Sequence, residues 1–465
     1  MRDRQLSYVL TLAAVACSHR ATTLQVNPEP PAAPPVPAAV PAQPPPPEGA
    51  VTLVTAGGVD VVGLHGRIDR LQIAASGERA RLVAEVSGVG APARATVAVE
   101  LGVDGALSPP RTLTVGARNT RVVTSVAAAP DGFRTMTFGL RRTETAAPDF
   151  GSTHRYALIG EAGAARRTEP MLFEAEELVA AADGERFVAA AVGARILCFE
   201  ARCADDYREN SGLFFHPRSA FEVQVVGLAS GTPIENIPLI VRCPTPAVAE
   251  PDRPATLVSE GQVAPDRCRA QRRARPYDVA LAVSGGRTLV AYRTDGSIAA
   301  LNLGADPIDA SPVVVSEGQV GAPAVAWRGE AVVLVWAQRA SDGAPYALHA
   351  VEWNPYATAR PPAPTVIATG AASAFAPALV VRGSQVVLAW MEGDDRAASV
   401  RVGATRRSIE HAVDHAVTVS TGGNARDPEL AGSAAHAWIA WSEYPVGRSR
   451  EQGGGAVRAS RLGLP

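Results

Sequence analysis

The segment Glu410-His411-Ala412-Val413-Asp414-His415 is the densest group of metal-ligand side chains in the chain. Two histidines four residues apart meet on one face of a helix and could hold a metal there. This segment, however, leads into a strand-forming run. In extended chain the two rings share a face but sit far apart, so a solvated loop is the expectation and His411 and His415 stand only as metal candidates. The acidic pairs Glu176-Glu177, Asp205-Asp206 and Asp394-Asp395 invite a glycosidase or calcium reading. Adjacent side chains on a strand point to opposite faces, which argues against a catalytic pair. Asp205-Asp206 lies in a stretch without strand pattern, where a loop could direct both at one ion. The basic run Arg267 to Arg275 suits an anionic surface or lipid headgroups, with a solvated loop as the plain alternative. There is no phosphate loop, no G-x-S-x-G elbow and no H-E-x-x-H. All 44 basic residues are Arg, so neither a Lys Schiff base nor a Lys general base is available.

Net charge is near -2 over 465 residues, which exerts no global pull toward nucleic acid. No cofactor is implied. At the start, Arg2 and Arg4 precede an apolar, charge-free run from Leu6 to Ala16, too short to span a bilayer and suited to an export signal. It ends in Ala14-Val15-Ala16-Cys17. This ending resembles the lipobox of bacterial lipoproteins, although Ala14 stands where that motif carries Leu. The resemblance implies diacylation of Cys17 and anchoring in the cell envelope, as an outer-membrane lipoprotein facing the periplasm or the surface. Ordinary cleavage after Ala16 is the rival. Residues 18–49, Pro- and Ala-rich from 27 onward, form a semi-rigid tether that lifts a folded domain off the membrane.

Cys198, Cys203, Cys243 and Cys268 share one stretch. An even number in an exported chain favours two disulfides, of which Cys198–Cys203 with Cys243–Cys268 closes the shortest loops; all three pairings stay open. Their spacing is not the tight C-x2-C of zinc sites.

The elements that position these groups come from a repeat. Pro323 to Trp336, Pro377 to Trp390 and Pro428 to Trp441 each join two apolar runs through a small polar turn. A looser copy, Tyr277 to Tyr292, precedes them. A period of about 50 residues built from short strands predicts an all-β fold, a single β-propeller of four-stranded blades. Seven blades is the expected count, with six or eight as alternatives. The domain would span 50–465, with a cysteine-bearing insert at about 199–272. The last repeat is one strand short, and residues 50–58 look like an outer strand. The N-terminal strand is therefore expected to join the last blade and close the ring. Trp327, Trp336, Trp390, Trp438, Trp441 and Tyr292, most of them at equivalent positions in successive repeats, read as packing between blades, not as a sugar platform. Trp353 falls outside that register and reads as a filler.

Asp-Gly pairs recur at Asp104, Asp131, Asp183, Asp295 and Asp342, and hairpin turns account for them. The repeats resemble sialidase-like propellers in length and rhythm over roughly 51–465. Ser341-Asp342-Gly343 is a degraded form of that family's Asp-box, and Arg67-Ile68-Asp69 lacks the Pro of its Arg-Ile-Pro entry. The resemblance therefore transfers no catalytic residue. The expected function is a non-catalytic binding or scaffolding module for a protein or glycan. Its recognition surface is expected over 199–235 and 243–275, including Asp205, Asp206, Arg208, Arg267 and Arg269. The alternative is a polysaccharide hydrolase or lyase with its site at the mouth of the central channel.

Overall fold

The computed structural model describes residues 51–55, 57–87, 94–116, 122–129, 132–142, 153–160, 166–167, 173–183, 186–196, 219–228, 239–242, 277–303 and 313–464. Among these the chain is all-β, with short 3-10 turns at Ile409–Ala412 and Arg450–Gln452. No helix among them is long and apolar enough to cross a membrane.

After a short β1 (Thr52–Leu53), the strands follow one another as antiparallel meanders. The first is β2 (Val59–Ser76), β3 (Arg79–Ser87), β4 (Arg94–Gly102) and β5 (Arg111–Gly116). The second is β6 (Val122–Ala129), β7 (Gly132–Arg142), β8 (Thr153–Gly160) and β9 (Arg166–Arg167). The third is β10 (Phe173–Asp183), β11 (Arg186–Ile196), β12 (Ser219–Leu228) and β13 (Leu239–Arg242). The fourth is β14 (Tyr277–Ser284), β15 (Arg287–Arg293), β16 (Ser297–Leu303) and β17 (Val313–Glu317). The fifth is β18 (Gln319–Arg328), β19 (Ala331–Arg339), β20 (Ala347–Trp353) and β21 (Thr365–Ala368). The sixth is β22 (Ser373–Arg382), β23 (Gln385–Gly393), β24 (Ala398–Thr405) and β25 (Val417–Thr418). The last three strands are β26 (Asn424–Gly432), β27 (Ala437–Tyr444) and β28 (Gly455–Gly463). Strands β12 and β13 lie inside the stretch 199–272 read as an insert, so that stretch supplies half of the third meander.

The meanders pack face against face, and the sequence shows why. In β19 every residue from Val332 to Ala337 is buried. Val332, Leu334 and Trp336 pack with Leu289 and Ile298 of the fourth meander. Val333, Val335 and Ala337 pack with Val386 and Leu388 of the sixth. A strand sandwiched between two sheets needs apolar residues on both faces, which erases the alternation of a half-exposed strand. The repeated aromatics are this core: Trp336, Trp438 and Trp441 are fully buried, and Tyr292, Trp327 and Trp390 nearly so. Trp353 is buried in the same cluster as Trp336, with its indole N–H on the Thr358 carbonyl at 2.8 Å.

First strands neighbour one another in a cycle: β2 with β6, then β10, β14, β18, β22, β26 and β2 again. Strand β28 pairs with β1 (Thr52↔Gly463, Leu53↔Leu462) and then with the opening of β2 (Val59↔Ala459, Asp60↔Arg458). Beyond Gly66, β2 changes partner and pairs with β3 from Arg67 onward. Gly66 takes φ 131, and a Cβ there would lie 2.9 Å from the Ser87 carbonyl, so the change of partner requires glycine. The join therefore makes one eight-stranded sheet from the first and last groups. The Tyr444 hydroxyl, at the end of β27, accepts the Ile68 N–H at 3.2 Å and donates to the Ile68 carbonyl at 3.4 Å. Gly455 makes room for that ring, since a Cβ would come within 2.5 Å of it. Val51 is buried with Ile439, Trp441 and Leu462, and Leu53 packs against them.

Candidate functional site

Where the first strands converge there is a cavity of about 690 Å³, lined by residues of β2, β6, β10, β14, β18, β22 and β26. Its geometry follows from a repeated irregularity. Six of the first strands, among the described residues, carry a shift of register against their neighbour: Ile68/Arg70, Ala175/Glu177, Tyr277/Ala280, Val320/Pro323, Phe375/Ala378 and Arg426/Glu429. An extra residue in one strand bends it and redirects a side chain. Asp278, Ala376 and Asp427 sit in three of these bulges at φ 48, 48 and 50. Asp accommodates that conformation; Ala376 holds it at a cost of about 1 kcal/mol.

The bulges bring a mixed set of charges to the wall. Asp69 accepts the Ser87 hydroxyl at 3.0 Å and pairs with Arg67 at 2.6 Å and Arg94 at 3.5 Å. Arg70 and Gln72 both donate to the Leu178 carbonyl, Gln72 at 2.9 Å, tying the first meander to the third. Glu177 accepts the Val279 N–H at 3.1 Å. Asp278 pairs with Arg293 at 2.6 Å, and Asp427 with Arg450 at 3.6 Å.

Two carboxyls differ from these. Glu85 is held above the ordinary glutamate range by burial and less so by Asp69, against the pull of Arg70, the Thr124 N–H and Arg94. Its Oε1 is buried with no hydrogen-bond partner. Glu429 is pushed up to about 8 by burial, with Arg70 opposing and Asp427 adding to the rise. Glu429 is half-buried and lines the cavity. Among the described residues its carboxyl has neither hydrogen bond nor ion pair. At neutral pH it is a protonated acid facing the cavity, able to donate to a bound oxygen or to a leaving group.

Of the charged and metal-ligand side chains singled out from sequence, Arg67, Asp69 and Glu177 line this cavity, and the other described ones do not. Cys17, Cys198, Cys203, Cys243 and Cys268 lie outside the described residues, as do Asp205, Asp206, Arg208, Arg267 and Arg269. His411 sits on the 3-10 turn with Nδ1 2.9 Å from an Asp414 Oδ2, and His415 is exposed in the turn after it. The lead-in to β25 is thus not extended. Ile409 and Ala412 bury themselves in the core and wind the segment, and Gly403 admits the Ala412 carbonyl, which a Cβ would meet at 1.7 Å. No group of three or more His, Cys, Asp or Glu with metal-site geometry occurs among the described residues. Asp394 and Asp395 are exposed: Asp394 caps its own turn through the Arg396 and Ala397 N–H groups, and Asp395 pairs with Arg426.

Sequence reasoning missed Arg70, Glu85 and Glu429. The signal for Glu429 was in the repeat. Ala324, Ala378 and Glu429 each follow the repeated Pro, and all three line the cavity. A glutamate where sister repeats place Ala marks the one copy that carries a proton.

No family model matches the chain, and no curated protein matches it. Among solved structures, an ulvan lyase, a polysaccharide lyase bound to a GlcA–Rha3S repeat, aligns at 9% identity over 87% of this chain and 95% of its own, with TM-score 0.49. The endosialidase of phage phi92 aligns at 8% identity over 90% and 69%, with TM-score 0.43. The acylaminoacyl peptidase of Pyrococcus horikoshii aligns at 8% identity over 82% of this chain, with TM-score 0.40. The chain spans about half the length of that peptidase, 52%.

Proposed function

We propose that the meanders form a closed seven-bladed β-propeller, sealed by β1 and the opening of β2, and that the central cavity binds a glycan segment. The cyclic order of first strands and the core shared by Leu71 and Leu82 with Trp438 and Val457 support the closure. The observation that carries the binding reading is Glu429, a protonated acid without a protein partner, beside Arg70 in a cavity walled by both charge signs. Sugar hydroxyls are donors and acceptors at once, and alternating carboxylates and guanidinium groups match them. In this reading the protein is exported and anchored through Cys17, with residues 18–49 as its stalk. The cysteine-bearing connections, including Asp205, Asp206, Arg208, Arg267 and Arg269, offer a second surface for a protein partner.

A second reading is glycoside or polysaccharide cleavage, with Glu429 as the acid. A carboxyl poised near neutrality beside ionised carboxylates is the arrangement that glycosidic chemistry uses. A glycan array followed by calorimetry on the hits separates these readings. Saturable binding lost in Glu429→Gln and Arg70→Met, with the glycan recovered intact, supports a binding module. Cleavage lost in Glu429→Gln while binding persists supports an enzyme. Hits that bind both variants as well as the native protein would rule out the cavity as the site.

A further inference from the structure

A second cavity, about 750 Å³, lies at the other ends of the strands. Five pieces of chain build it: Val54 just after β1, the β22–β23 turn with Arg382, Arg406 just after β24, the β26–β27 turn with His436, and Arg461 to Leu464 at the end of β28. It shares no lining residue with the central cavity. Its wall holds Arg382, Arg406, Arg461 and His436, and neither Asp nor Glu.

That imbalance is unlike the arginine chemistry elsewhere in the molecule. Arg287 pairs with Glu330, Arg328 with Glu352, Arg401 with Glu392 and Arg426 with Asp395. In the second cavity Arg382 is fixed by carbonyls instead, donating to Ser433 O at 3.0 Å and Ala434 O at 2.9 Å. Carbonyls orient a guanidinium without neutralising it. Burial without a counter-charge pulls the Arg382 pKa down. The Arg461 guanidinium has no hydrogen bond or ion pair among the described residues, and its Nε is buried. A buried cationic donor with no acceptor is costly unless an anion completes it.

We propose that this cavity is a binding site for a phosphate or sulfate group, free or carried as an ester on a small polar molecule. Arg461 is its principal ligand and Arg382 the pre-oriented second cation. A guanidinium presents parallel N–H groups that match two oxygens of a tetrahedral oxyanion, and its charge is fixed at any working pH. The volume exceeds what a bare anion fills and lies in the range for small-molecule sites, which favours an ester over the free ion. The site also straddles the junction with β1, since Val54 lines it and the Val54 N–H bonds the Arg461 carbonyl at 2.9 Å. Occupation should therefore brace the join between the two ends of the described chain.

The test is calorimetric titration of the full chain with inorganic phosphate, inorganic sulfate and glucose 6-phosphate, each against sodium chloride at matched ionic strength. Vesicles of phosphatidylglycerol, compared with phosphatidylcholine, form a fourth arm. One saturable site is expected, weakened about tenfold or more in Arg461→Gln. Arg406→Gln should weaken it independently, while Arg360→Gln, an exposed change outside the cavity, and Glu429→Gln should leave it intact. Tighter binding of glucose 6-phosphate than of the free ions assigns a soluble ester; retention on phosphatidylglycerol alone assigns a lipid headgroup. Heats no greater than those of chloride in every arm would overturn the proposal. So would unchanged affinity in both Arg461→Gln and Arg406→Gln.

Discussion

Replacing Glu429 by Gln tests the central cavity without presupposing a ligand. Gln keeps the shape and the donor capacity of the protonated acid but cannot ionise. Below pH 4.5 the native carboxyl is protonated whether the chain is folded or not, and the two proteins should be about equally stable. From 4.5 to about 8 the unfolded carboxyl releases its proton while the folded one keeps it. Native stability then falls relative to the variant as pH rises, and the difference levels off once the folded group ionises as well. Raising a carboxyl from 4.5 to about 8 corresponds to roughly 5 kcal/mol of lost stability at full ionisation. Water entering the cavity screens the charge, so about 2–3 kcal/mol is the working figure. Urea unfolding followed by tryptophan fluorescence at pH 5, 7 and 9 reads it directly. Glu85 titrates in the same direction but is common to both proteins, so the difference isolates Glu429. Curves for native and Glu429→Gln that stay parallel from pH 5 to 9 would refute the reasoning. They would mean that Glu429 is ionised in the fold and compensated by Arg70.

Arg70→Met should raise the titration of both Glu85 and Glu429, because Arg70 holds each down; carboxyl titration followed by NMR would detect the shift. Val51→Ala should cost about 2 kcal/mol through lost burial and the void left beside Trp441. An unchanged denaturation midpoint would show that β1 does not seal the join. His349, stacked on Trp336 at 6.0 Å, is held below the ordinary histidine range by burial, so it should destabilise the fold as pH drops below 6.5; His349→Gln should remove part of that acid sensitivity. Cys17→Ala should release the protein from the membrane fraction on cell fractionation, and retention there would exclude lipid anchoring through that residue.

The architecture was legible because its core repeats. Each of Trp336, Trp390 and Trp441 lies opposite the bulge and the repeated Pro of its own meander's first strand, and burial on two faces forces the same apolar spelling each time. The paired apolar runs of Pro323 to Trp336, Pro377 to Trp390 and Pro428 to Trp441 therefore fall on β18 and β19, β22 and β23, and β26 and β27. The third meander was harder to read. Long connections separate β11 from β12 and β13 from β14, and Ser219–Leu228 mixes Glu222 and Gln224 into its apolar run, so the strands hid in what looked like an insert. The 3-10 turn at Ile409–Ala412 was missed for a related reason. Only the tertiary fit of Ala412 against Gly403 selects that winding, and nothing local in Ser-Ile-Glu-His announces it.

The site was hidden by the same regularity that revealed the fold. Pattern reading rewards residues that recur, whereas the charge in the cavity comes from those that do not. Successive first strands place Arg70, Glu177, Ala280, Ala378 and Glu429 at or beside the point where register resumes after a bulge. Where Ala fills that place after the repeated Pro, as at Ala378, the repeat is easy to see. The copies carrying Arg70 and Glu177 there lack the Pro-to-Trp spelling, whereas the last copy keeps it and still carries Glu429. Asp427-Pro428-Glu429 states both in three residues: Pro keeps the copy in register with Pro323 and Pro377, Asp427 takes the left-handed bulge, and Glu429 breaks the pattern to face the cavity. Comparing the repeats for departures at one structural position, rather than scanning the chain for dense polar clusters, leads from sequence to this site.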